Sequence, residues 1–162
     1  MSQETTSVGE WGAEQAARIK EREDLRTTER EWQLHSSRVI KNGSPYLFKT
    51  FTDLVESAIS GFNESFPPNS HRKIEFQRIP SNRLLVRRPY YPALCLEVWL
   101  DVDCQCIRFT TSIRPDQESS AQNGAGRFRI LHFEGSNLQL ANGERLISLE
   151  DACRLPLEMF FS

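Results

Sequence analysis

The apolar residues change period at Pro67-Pro68, and no other feature constrains the fold of this chain so strongly. Ahead of the two prolines, Leu47, Phe48, Phe51, Leu54, Val55, Ala58, Ile59 and Phe62 recur at helical spacing and make one wide stripe. Behind them, apolar and polar residues alternate one by one over several short runs, the spacing of half-buried strands. A helical pattern followed by a strand pattern reads as α+β, with the strands in an antiparallel sheet. The 162 residues suffice for one domain plus an extension, and for a core without disulfide or metal staples.

The stripe predicts a helix over 44–65. Ser44 supplies an N-cap, and Pro45 fits the first helical position, where no amide hydrogen is needed. Pro67-Pro68 ends it. Upstream, 11–43 reads as a separate long helix, densely charged, closed by Asn42-Gly43 as a left-handed stop. Residues 1–10 are polar and read as a disordered tail, which leaves 44–162 as the globular part. An unbroken first helix would reach about 45 Å, more than a small domain needs, so part of it is expected to project. Its apolar face is thin. Leu25, Trp32 and Val39 recur every seven residues with Trp11 two heptads before Leu25, but Arg18 interrupts and the three-four partner positions are polar. A coiled coil needs both positions filled over several heptads. The expectation is a solvated helix that packs through Trp32, Leu34 and Val39 near its end.

The strand region resolves into hairpins. His71–Ile79 and Arg83–Arg88 turn around Pro80-Ser81-Asn82, with Phe76 opposite Val86 and Glu75 opposite Arg87. Leu94, Leu96, Val98 and Leu100 share one face of the next strand, and Ile107, Phe109, Thr111 and Ile113 one face of its neighbour. A turn at Val102-Asp103 would set Val98 opposite Ile107, Leu96 opposite Phe109, Glu97 opposite Arg108 and Trp99 opposite Cys106. Residues 114–126, rich in Ser, Gln, Asn and Gly, read as a mobile loop. Arg127–Phe133 and Asn137–Leu140 form a last hairpin, with Ile130 opposite Leu140 and His132 opposite Leu138. Ser148 and Asp151 start a C-terminal helix, which Pro156 is expected to kink or restart. The predicted assembly is two helices, a sheet of about five to six strands and a closing helix, with the helices on one sheet face.

The net charge of −2 creates no global field that would attract nucleic acid or membrane, so such binding would need a local patch. The N-terminus carries no leader pattern and no window is apolar enough to span a bilayer, so a cytoplasmic location with four free thiols and no membrane partner is expected. Cys104-x-Cys106 supplies too few ligands for zinc, and no metal or cofactor motif is legible. Asp101 and Asp103 fit turn chemistry, and Gly124-Ala125-Gly126 stands in the wrong context for a phosphate cradle. No catalytic residue is identifiable, since His35, His71 and His132 accompany no nucleophile motif, and an enzyme is the less favoured class.

Two surfaces are left as candidates. Trp99, with Glu97 and Arg108, lies on the polar face of the sheet, which the long first helix either covers or leaves open to a partner, cover being the favoured reading, and Leu25 and Trp32 lie on the charged helix. Together they predict a non-catalytic protein-interaction or accessory module whose partner is another protein or a second copy. The first alternative is a nucleic-acid or anion binder. Arg72, Lys73, Arg78, Arg83, Arg87 and Arg88 are opposed by Glu75 alone, with Tyr90 and Tyr91 next in sequence. The second is a small-ligand or enzyme domain with a pocket between helix 44–65 and the sheet, lined by Phe48, Phe51 and strand residues.

Overall fold

A computed structural model describes residues 7–162. They form a helix α1 (Val8–Glu64), seven strands and a helix α2 (Leu149–Phe161). The strands are β1 (Glu75–Ile79), β2 (Arg83–Arg88), β3 (Ala93–Asp101), β4 (Cys106–Arg114), β5 (Gln122–His132), β6 (Leu138–Asn142) and β7 (Arg145–Ile147). They lie in one antiparallel sheet in sequence order. By its contacts the chain divides after Arg38 into two units.

In the first unit α1 starts on a capping box. Ser7 Oγ accepts from the Glu10 backbone N–H, and the Glu10 carboxylate accepts in return from the Ser7 N–H. Val8–Glu10 are therefore helical, while the rest of the expected tail, residues 1–6, lies outside the described residues.

The expected break at Asn42-Gly43 does not occur, so one helix stands where two were expected. Ile40, Ser44 and Phe48 are buried at four-residue spacing, and Phe51, Thr52, Val55 and Ile59 continue the line. This face is unbroken through Pro45, and its burial outweighs the local signals for a stop. Gly43 serves close approach: a Cβ there would meet Leu138 Cδ1 of β6 at 2.9 Å. Ser44 is no cap, because it is fully buried within the helix.

α1 from Ile40 onward and α2 cover the same face of the sheet. Phe51, Val55, Ile59, Leu157 and Phe160 pack there against Leu84, Val86, Leu96, Val98, Ile107, Phe128 and Ile130. Asn63 ties the end of α1 to the sheet. Its Nδ2 donates to the Ile74 carbonyl at 2.8 Å, and its Oδ1 accepts from the Ile74 N–H at 2.9 Å.

The first hairpin pairs Phe76 with Val86 and Glu75 with Arg87, and the later one pairs Ile130 with Leu140 and His132 with Leu138, as the pattern predicts. The β3–β4 pairing differs by two residues. Val98 faces Phe109, Leu100 faces Ile107, Trp99 faces Arg108 and Glu97 faces Thr110. The reason is the turn, which closes at the Asp101–Cys106 pair. Asp101 Oδ1 accepts from the Cys104 N–H at 3.0 Å, and Gln105 takes a left-handed φ of 52°.

Two further expectations change. Residues 122–126 belong to β5 and pair with β4. β7, which pairs with β6, raises the strand count to seven. Pro156 lies inside α2 without ending it, because Ala152, Cys153, Pro156, Leu157 and Phe160 form one buried stripe. Ser148 caps α2 as expected, accepting from the Asp151 N–H at 3.1 Å.

Candidate functional site

The face of the sheet turned away from the helices is built by register. Arg83, Trp99, Arg108 and Arg127 are consecutive partners across β2, β3, β4 and β5 and so share one face. Trp99 is half-buried. The Arg83 guanidinium stands 5.8 Å from the centre of its ring. Arg129 follows Arg127 on the same side of β5, and Arg87 and Arg114 occupy the same face further along β2 and β4.

Three carboxylates share these strand positions, and each is engaged. Glu75 pairs with Arg87 at 3.0 Å, Glu97 with Arg83 at 3.5 Å and Asp101 with Arg108 at 2.8 Å. The expected Glu97–Arg108 contact is thus replaced by two others, a direct effect of the two-residue shift. The Cys104 N–H and the Arg108 guanidinium hold the Asp101 carboxyl below its usual range. The Cys104 side chain, and after it Asp101, push the Arg108 pKa up.

The basic residues of 71–91 separate. Arg83 and Arg87 reach the open face. Arg78 lies on the helix side, where its guanidinium bonds Asp53 at 2.7 Å and Glu56 at 2.5 Å. Arg88 is buried and donates to the Pro92 carbonyl at 3.1 Å, and burial, with Arg72 nearby, pushes its pKa down. Arg72 and Lys73 lie outside the strands, between α1 and β1. Tyr90 packs edge-on against His71, with ring centres 4.6 Å apart. The run that is continuous in sequence is therefore spread over both sides of the sheet.

On α1, Leu25 and Trp32 are exposed, as are Trp11, Ile19 and Leu34. The Trp32 ring lies 6.0 Å from that of His35. Phe48 and Phe51 are core residues. A groove of about 600 Å³ runs instead between α1 and α2, lined by Leu54, Ala58, Cys153, Leu157 and Phe161 among others. Among the described residues no cluster of three or more metal-ligating side chains occurs, and no helix is long and apolar enough to cross a membrane. The chain matches no known family model, no curated protein and no solved structure.

Arg127 and Arg129 carry the open face furthest towards net positive charge, and sequence reasoning missed both. Their signal is spatial: they stand far from 71–91 in sequence and join Arg83 only through strand pairing.

Proposed function

We propose that the chain is a non-catalytic interaction module that self-associates through the helix of its first unit. The observation that carries this reading is the exposure of Trp11, Leu25 and Trp32, at 59%, 60% and 48%, on one seven-residue ladder of α1. Full burial of an apolar side chain of this size is worth about 1.5–3 kcal/mol over leaving it in water. Arg18 interrupts the ladder, but its stem can lie along apolar surface while its charge stays in water.

Charge favours a second copy as the occupant. Residues 8–38 carry seven acidic and six basic side chains, interleaved along the helix. A helix of mixed sign complements another of mixed sign and gives a strongly acidic or basic partner no advantage. A two-fold pairing would use the same ladder on both copies.

Light scattering tests this directly. At rising concentration the expected mass is twice 18.7 kDa, returning to 18.7 kDa for the double variant Trp11→Glu, Leu25→Glu. Both positions are exposed, so the folded unit from Val39 onward should keep its melting temperature. A mass of 18.7 kDa at high concentration for the unaltered chain overturns the proposal.

A further inference from the structure

The open sheet face carries an excess of cations. Its strand positions hold Arg83, Arg87, Arg108, Arg114, Arg127 and Arg129 against Glu75, Glu97 and Asp101. Three of those arginines are neutralised in the pairs given above. Arg114 donates to the carbonyls of Gln117 and Ser119, and Arg129 to that of Gly143 at 2.9 Å. Among the described residues no carboxylate stands within ion-pair distance of Arg127 or Arg129, and both are exposed.

The chemistry of these cations is specific. No lysine occurs after Lys73, so every strand cation is an arginine, whose planar fork matches phosphate oxygens two at a time. The row Arg83–Trp99–Arg108–Arg127 crosses three strand spacings, about 14 Å in all. That is room for an extended strand of a few nucleotides, with an indole inside the row. An open antiparallel sheet with an aromatic among arginines suits splayed, unstacked bases, whereas a duplex keeps its bases stacked inside. An acidic peptide would satisfy the arginines and leave the ring unused.

We infer that this face binds single-stranded nucleic acid, with phosphates on Arg127 and Arg129 and a base stacked on Trp99. Arg83 leaves the ring face as the base arrives and moves onto a phosphate, releasing a loose contact with Glu97. The site uses β2–β5 alone and does not depend on self-association through α1.

The test is binding of a labelled short oligouridine to the full chain, followed by fluorescence anisotropy. Binding is expected at about 50 mM salt, with affinity falling as salt rises. Replacing both Arg127→Gln and Arg129→Gln should weaken it at least about tenfold and flatten the log–log salt slope by about 1.4, two phosphate contacts on a single strand. Trp99→Ala should weaken it about tenfold, and Trp99→Phe should restore most of the loss. Arg78→Gln, on the helix side, should change nothing. Polyglutamate of equal charge should bind more weakly and ignore Trp99→Ala. The inference is overturned by no binding at low salt, by equal or tighter binding of polyglutamate, or by indifference to both the arginine pair and Trp99. A monomeric chain that binds the oligonucleotide would sink the self-association reading and leave this one standing.

Discussion

The ring of Phe109 lies across Gly126, its cross-strand partner, so closely that a Cβ on Gly126 would fall 2.8 and 2.9 Å from the two Cε atoms. The ring is also packed against Phe128, with centres 5.3 Å apart, and cannot simply swing aside. Gly126 therefore belongs to the core-facing surface of the sheet, where the missing side chain is what admits the ring.

Gly126→Ala should cost about 1–3 kcal/mol by forcing the ring or the strand to move. Urea unfolding measures it. Adding Phe109→Leu should recover part of the loss, giving a coupling energy of opposite sign to the single effects. Strictly additive losses would show that the ring is not what excludes the Cβ.

Asn63 behaves as a strand partner for a residue that has none. Its amide satisfies both backbone groups of Ile74, which is buried. Asn63→Ala leaves those groups without partners and should cost about 1–3 kcal/mol. Hydrogen exchange localises the effect: the Ile74 amide should lose its protection before the centres of β3 and β4 do. An Ile74 amide that stays protected in the variant would contradict this role.

Cys153 makes stability fall at alkaline pH. Burial, with Glu150 adding to it, pushes its thiol up to about 12. The unfolded thiol ionises near the ordinary value of 9.0. Above that pH the unfolded chain loses a proton that the folded chain keeps, so the contribution of the neutral thiol is complete below 9.0 and is lost as pH rises towards 12. The slope approaches about 1.4 kcal/mol per pH unit in that window. Denaturation of the parent and of Cys153→Ala across it should give curves that converge as pH rises. Parallel curves would rule the effect out.

The fold class was readable because the change of period at Pro67-Pro68 is unambiguous. Registers were readable where short loops fixed them, as at Phe76–Val86 and Ile130–Leu140. The β3–β4 register was not. A slip of two residues leaves every side chain on its own face, so an alternating pattern cannot detect it. What sets it is the Asp101 carboxylate folded over the Cys104 N–H, a side-chain contact inside the turn. Gly43 and Gly126 misled for a related reason. Each looks like a conformational break, and each is small because Leu138 or Phe109 comes close. The candidate face was half readable: Trp99 stood out, but the arginines around it come from three strands and become neighbours only through pairing.

The strict sequence order of the seven strands bears on how the molecule comes to exist. Every ladder joins neighbours along the chain, so the sheet can grow hairpin by hairpin with short loop closures throughout. α1 is synthesised before any strand. Phe48, Phe51, Val55 and Ile59 must therefore wait uncovered until β2 to β5 are made, and the growing meander is the first surface able to shield them. The interval between making that helix and closing β5 is when the nascent chain is most exposed to aggregation.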